Sequence, residues 1–346
     1  MPIGTSGAVK TLLPQDLYDV NTTIILGNTY HLFLRPGHDL IQRCGGLHKF
    51  MNWGKSILTD SGGFQVYSLA KLNKISDEGV KFQSHIDGSS HFITPEISME
   101  IQRSLGSDII MAFDVCPPGD ATKEMVMSAV DQTTKWIKRC KDYLDSSEVP
   151  YGWNQTMFPI IQGGIYPDLR KNSVEKMVPY STCGIGIGGL AVGEDKMAMF
   201  ENIAMLDELL PNDQPRYLMG VGRPTDLVIA VQNGVDMFDC VLPTRNGRNG
   251  QLFTSKGVIN IQNSSYLDDF SCVDEECNCH LCNDYTKAYL RHLFNINEML
   301  GLRLASLHNI TFYMKLMETI RGKINKGEFS KWSVNYLNKY SNDQRM

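Results

Sequence analysis

No apolar run in this chain of 346 residues approaches the ~18 residues of a membrane-spanning helix, which excludes an integral helical membrane protein. The amino terminus, MPIGTSGAVK, lacks the apolar core and small-residue cleavage pattern of a secretory leader. The nine cysteines are an odd count, and Cys44, Cys116, Cys140, Cys183 and Cys240 stand singly in apolar or helical stretches. That usage excludes a disulfide framework and fits a reducing, cytoplasmic setting. Positive charge is not in excess either. Lys and Arg number 33 against 38 Asp and Glu, a net charge of −5, so nucleic acid is not attracted in bulk and a polyanion needs a local basic patch. No low-complexity tract or linker divides the chain. With 42% hydrophobic and 21% charged residues, it reads as one large domain or one domain with an appendage.

What recurs is a short apolar run ending in Gly, Asp, Asn or Gln, followed by a loop and a segment of helical period. The runs fall at Pro2-Ile3-Gly4, 22–28, 56–63, 108–114, 158–164, 184–190, 216–222 and 235–243. Between them, 121–144 keeps Val126, Val130, Ile137, Cys140 and Leu144 on one face, with Asp120 placed as its N-cap. Continuous apolar strands alternating with helices predict a parallel sheet covered on both faces. Eight strands are the number that closes a (β/α)8 barrel, with chemistry at the strands' carboxyl ends; a doubly wound open sheet is the alternative. Two β-hairpins interrupt the alternation, 80–95 turning at Asp87-Gly88 and 250–263 turning near Lys256-Gly257. After residue 264 the alternation stops.

There the chain reads ECNCHLC, with Cys277, Cys279 and Cys282 within six residues. Clustered thiols in a reducing compartment point to metal, and tetrahedral zinc requires a fourth ligand. His280, His292, His308 and Cys272 are candidates; His280 is cramped inside the loop, whereas His308 lies in a helix-like stretch. Soft thiolates with an imidazole favour zinc. With no open coordination position the site would be structural, stabilising a small subdomain by roughly 10 kcal/mol or more.

Asp60 ends the third strand in LTDSGG, Asp114 the fourth in MAFDVC and Asp239 the eighth in MFDCVLPTRNGRNG. One such Asp can be a helix cap; three converging on one mouth can divide into nucleophile, acid/base and substrate clamp. RNGRNG sets Arg245 and Arg248 beside Asp239 in a glycine-rich loop able to approach phosphates, the local basic patch an acidic RNA-binding protein needs. GIGIGG (184–189) matches a dinucleotide-binding pattern only formally, because helical period resumes only after Glu194.

Taken together, ILGNTYHLFLRPG, LTDSGGFQVYSL, IQGG, GGLAVGE, YLMGVG, FDCVLPTRNGRNG and CNCHLC with His308 resemble the tRNA-guanine transglycosylase family along nearly the whole chain. The resemblance implies a (β/α)8 barrel with an inserted zinc subdomain: barrel 1–264, zinc subdomain 265–310, and a helical segment 311–346 completing the barrel. It implies exchange of a guanine in tRNA for a modified base, within queuosine biosynthesis. Asp239 resembles the nucleophile at the anomeric carbon of the wobble nucleotide, and Asp60 the general acid/base. Asp114 and Gln162, with the backbone of Gly189 and Leu190, resemble the groups reading the base; Phe64, Tyr217 and Met219 resemble its apolar walls. Arg223, Arg245 and Arg248 resemble contacts to the anticodon loop, and Cys277, Cys279, Cys282 and His308 the zinc ligands. GGLAVGE and Cys116 resemble bacterial members inserting 7-aminomethyl-7-deazaguanine (preQ1); members taking bulkier queuine differ near Val192 and Cys116. Val115 departs from the Glu common in bacterial members, and an amino-terminal segment usually precedes the MPIGT strand.

The chemistry of the residues agrees with that likeness. Exchange without hydrolysis requires two displacements through a covalent ribosyl–enzyme, as in retaining glycosidases. A flipped purine needs an apolar slot with polar edge-readers. A homodimer is also implied, and Tyr285, Tyr289 and His292 are spaced to share one helical face, as core or as a twofold interface.

Overall fold

The computed structural model describes residues 1–69 and 73–342. Eight barrel strands appear in chain order: Ile3–Gly4, Ile24–Gly27, Ser56–Thr59, Ile109–Met111, Thr156–Phe158 continuing as Ile160–Ile161, Ile185–Ile187, Arg216–Leu218 and Met237–Phe238. Each pairs in parallel with the next, in registers such as Ile25 with Ile57 and Ile187 with Leu218. Pro159, which has no N–H to donate, divides the fifth strand. At the seam between eighth and first strands, the Met1 amine donates to the Phe238 carbonyl at 2.6 Å. A cavity of about 340 Å3 lies against this seam. Asp239 touches it, but its lining is mostly apolar, from the strand beginnings and the helix carrying Tyr313 and Met317.

Alternation explains why the strands read as unbroken apolar runs. Leu26, Leu58, Met111, Phe158, Ile160 and Tyr217 pack inside the barrel, whereas Ile25, Ile57, Ile110, Ile161 and Leu218 belong to the core under the helices. The sixth strand must leave room for its neighbours. A Cβ at Gly184 would lie 2.2 Å from the Phe158 ring, and one at Gly186 would lie 2.7 Å from Met111 Cε. The architecture is therefore the (β/α)8 barrel rather than the open sheet.

The helix expected at 121–144 spans Lys123–Ser146 and buries Val126, Val130, Trp136, Ile137 and Cys140. Its N-cap is Thr122, whose hydroxyl accepts from the Met125 amide, and not Asp120. Asp120 instead lies inside a turn closed by the Ala121 amide on the Pro118 carbonyl. The first hairpin pairs Val80–Gln83 with Ser90–Ile93, and an unanticipated strand, Asn73–Ile75, adds to its edge. The second pairs Gln251–Thr254 with Gly257–Asn260.

Beyond the barrel, the helices His280–Asp284, Lys287–Asn295 and Met299–Asn325 enclose a second core of Leu281, Leu290, Leu293 and Leu304. Leu252 and Ile261 join it, so the second hairpin packs with this module. The helix Met299–Asn325 carries His308 and runs unbroken past residue 310, so no element ends at that expected boundary. Among the described residues, no helix is long and apolar enough to cross a membrane.

Candidate active site and metal centre

The three strand-end carboxylates meet at the barrel mouth, each almost fully buried and each held differently. Asp60 accepts from Asn28 Nδ2 at 2.6 Å and from the Thr29 amide at 2.8 Å. Asn28 is also the N-cap of the short helix Thr29–Leu34, so the segment after the second strand builds the cradle. Burial pushes the Asp60 carboxyl up to about 7, with Asp239 and Asp114 adding to the rise and the Thr29 amide opposing it. Near neutrality Asp60 can therefore both hold and release a proton.

Asp239 accepts from Tyr217 Oη at 2.6 Å and from the Gly220 amide at 2.8 Å, both on Oδ1. Among the described residues, no hydrogen bond reaches its Oδ2. One oxygen is thus anchored and the other is available to form a bond. Tyr217 is fully buried in the barrel interior, and burial and Asp239 drive its phenol well above the usual range, so it remains a donor. Its ring lies beneath the site, which gives it an anchoring contact that an apolar wall would not have. Met219 packs partly buried beside that same interior cluster, and Phe64 stands 44% exposed at the rim.

Asp114 accepts from Ser61 Oγ and from Gln162 Nε2, each at 2.7 Å, and burial raises its carboxyl. Gln162 Oε1 is buried without a partner in this structure, a polar atom that a bound ligand can satisfy. Gly189 must be glycine here. Its φ is +63°, and a Cβ would come within 2.3 Å of Gln162 Oε1. Leu190 is buried beside it, and Cys116 is buried with its thiol pushed up to about 12, by burial first and then by Asp114. A Cys116 of that kind stays a neutral thiol and is not a nucleophile. Next along, the backbone amides of Ala191 and Val192 both donate to the Glu194 carboxylate.

GIGIGG is confirmed as strand and turn: the following helix begins only at Lys196, capped by Asp195. RNGRNG is not the open loop expected from its glycines. Leu242–Arg248 is a short helix packed against Met299–Asn325, and a Cβ at Gly247 would lie 2.9 Å from the Ala305 carbonyl oxygen. Close helix packing, not phosphate approach, accounts for that glycine. Arg245 projects exposed from this helix, Arg248 is half-buried with Nη1 unpartnered, and Arg223 is exposed at the N-cap of Pro224–Gln232.

Cys277, Cys279, Cys282 and His308 bring one ligand atom each to within 4.8 Å of one another. His308 Nδ1 lies 3.6 Å from Cys279 Sγ and 3.3 Å from Cys282 Sγ. Nitrogen and sulfur bound tetrahedrally to one zinc stand about 3.6 Å apart. His308 Nε2 is 2.9 Å from the Phe253 carbonyl, which fixes the ring with Nδ1 facing the thiols. This donor set could hold a metal ion and suits zinc. His280 instead pairs with Asp284, and neither Cys272 nor His292 belongs to the cluster.

Tyr285 stacks on Tyr289 at 5.3 Å between ring centroids, and Tyr289 and His292 face solvent. The expected single helical face does not form: Tyr285 precedes the helix Lys287–Asn295 in extended backbone and packs half-buried against the second core, whereas Tyr289 and His292 lie on the side of the helix opposite its buried Leu290, Leu293 and Phe294.

Fold and site together define a (β/α)8 barrel enzyme with paired carboxylates at its mouth and a Cys3His module at its side. The model of the family described as Queuine tRNA-ribosyltransferase matches residues 1–342. A queuine tRNA-ribosyltransferase of Caldanaerobacter subterraneus subsp. tengcongensis is 53% identical over 340 residues, covering 98% of this chain and 89% of that protein. Proteins of the same description from Thermoanaerobacter sp. (strain X514), covering the same shares, and from Dictyoglomus turgidum, covering 100% and 88%, are 52% and 51% identical. The chain belongs to the queuine tRNA-ribosyltransferase family, whose members are pentosyltransferases.

Residues that motif reading left without a role prove to shape the site. Asn28, Thr29 and Ser61 lie inside quoted motifs, but their work depends on carboxylates 31 to 53 positions away in the chain.

Proposed function

We propose that this protein exchanges the guanine at the wobble position of a tRNA anticodon for preQ1, through a covalent ribosyl–enzyme intermediate. The observation that carries the reading is Asp239, anchored through Oδ1 with Oδ2 unengaged, beside an Asp60 that titrates near neutrality. In the first displacement Asp239 Oδ2 bonds to the anomeric carbon as the glycosidic bond to guanine breaks. Asp60 gives its proton to the leaving base. In the second, Asp60 takes a proton from the incoming base, whose nitrogen attacks the same carbon and releases Asp239. Asp114 accepts from the donor edge of the purine, Gln162 and the Gly189–Leu190 backbone meet its carbonyl side, and Phe64, Met219 and Cys116 bound the slot.

Arg223, Arg245 and Arg248 supply the local positive charge that a chain of net −5 needs to hold the anticodon loop. Zinc, held by Cys277, Cys279, Cys282 and His308, plays a structural part only. A homodimer meeting through Tyr285, Tyr289 and His292 accounts for the exposure of Tyr289 and His292.

The test incubates the protein with tRNA and labelled guanine, then with preQ1 and queuine separately, and resolves RNA–protein adducts on a denaturing gel. Label enters tRNA, preQ1 displaces it, and Asp239→Asn forms no adduct. Free base released without an incoming base would mark a hydrolase instead, and an adduct of normal yield in Asp239→Asn would move the nucleophile elsewhere.

A further inference from the structure

Arg170 is a fully buried cation in the first turn of the helix Pro167–Met177, with no carboxylate partner. All three guanidinium nitrogens donate to backbone carbonyls instead: Nε to Gly164 at 2.8 Å, Nη1 to Ile161 at 3.1 Å and Nη2 to Gly189 at 3.1 Å. Burial draws its pKa down to about 10, which still leaves it charged at neutral pH. Removing an ion from water costs several kcal/mol, and no carboxylate in direct contact offsets that here; Glu194 acts on it only from a distance. A packing role alone would be filled more cheaply by an apolar side chain.

The three carbonyls are not arbitrary. Ile161 and Gly164 flank Gln162, and Gly189 presses against the Gln162 side chain from the other side. Gly163 packs against the main chain of Arg170, where a Cβ would lie 2.8 Å from the backbone nitrogen, so this turn sits directly on the start of the helix that carries the guanidinium. The Gly189 amide faces the Cys116 thiol, and neither it nor the Leu190 amide has a backbone acceptor among the described residues. In a trans peptide the Leu190 N–H points opposite to the Gly189 carbonyl, hence away from the guanidinium. A carbonyl accepting from a cation also makes the N–H of the same peptide a stronger donor.

We propose that Arg170 is a positioning residue that clamps the Gly189 carbonyl from behind, holding the Gly189–Leu190 backbone turned toward the 6-oxo oxygen of the bound purine, with the Leu190 N–H of the clamped peptide polarised to donate to it. This rests on the purine exchange proposed above, and it assigns the discrimination of the 6-oxo group to a side chain that never touches the base.

The test uses the full chain with tRNA and labelled guanine, competed by 6-thioguanine. That analogue keeps the donor edge facing Asp114 but offers a weakly accepting sulfur in place of the oxygen. Arg170→Lys, whose single nitrogen cannot span three carbonyls, and Arg170→Met are compared with wild type. KM for guanine is expected to rise about tenfold, the loss of one well-placed hydrogen bond, with kcat changed less. The preference for guanine over 6-thioguanine should shrink by a similar factor. If both bases weaken together and the preference holds, or if KM is unchanged, Arg170 is merely structural and the proposal is overturned. Should Arg170→Met not fold, Arg170→Lys decides by the same ratio. A wild-type protein that exchanges no guanine overturns the proposed activity, and this inference with it; normal wild-type exchange with an unaltered variant overturns the inference alone.

Discussion

Asp60→Asn replaces a buried acid with a neutral side chain of the same shape, and its effect on stability should depend on pH. The folded carboxyl titrates at about 7 and an ordinary Asp at 3.8. Between those values the folded protein binds more protons than the unfolded chain, so stability falls as pH rises through the interval. The cost is absent below 3.8 and complete above about 7, reaching roughly 4 kcal/mol at about 1.4 kcal/mol per pH unit. Asparagine carries no such cost at any pH. It has one carbonyl for two donors, however, so its NH2 must face either Asn28 Nδ2 or the Thr29 amide, at about 1–3 kcal/mol. The variant should therefore lie within about 1 kcal/mol of wild type near pH 5, where wild type already bears part of the cost, and be more stable by about 1–3 kcal/mol near pH 8. The difference between the two proteins should swing by about 3 kcal/mol over that range. Urea denaturation of both proteins across the pH series measures it, because groups common to both cancel. Base exchange should be lost throughout. A stability difference that stays flat from pH 5 to pH 8 would refute both the raised carboxyl and the acid/base role built on it.

Tyr217→Phe removes the hydrogen bond on Asp239 Oδ1, worth about 1.5–3 kcal/mol for a charged acceptor. Exchange should slow by one to two orders of magnitude with KM for the base unchanged, whereas a rise in KM alone would return Tyr217 to the role of pocket wall. His308→Ala should lose bound zinc by elemental analysis and melt the Cys277–Asn295 region in hydrogen exchange while the barrel amides stay protected; retained zinc would exclude His308 as ligand. Tyr289→Ala should move sedimentation toward monomer without lowering the barrel's melting temperature, and a variant that sediments as wild type places any interface elsewhere.

The sequence by itself determined the elements whose cause is local. Barrel strands are buried on both faces, so 22–28 and 56–63 announce themselves as apolar runs. Cys277, Cys279 and Cys282 lie close together in the chain, so their capacity to hold a metal ion is legible in spacing alone, and His308 joins them through its place in the motif order. The strand-end positions of Asp60, Asp114 and Asp239 were equally legible, because each closes its own run. What only the tertiary structure decided is how these groups differ. Asp60 sits in the cradle of Asn28 and Thr29, Asp114 between Ser61 and Gln162, and Asp239 on Tyr217. RNGRNG became helix because Gly247 lets two helices approach, a contact made with residues 58 positions further along the chain at Ala305. Arg170 reads from sequence as an ordinary polar residue of a helix. Its burial against three carbonyls arises only when the fifth and sixth strands lie side by side, because which donors and charges surround a group is set by the neighbours that folding brings to it.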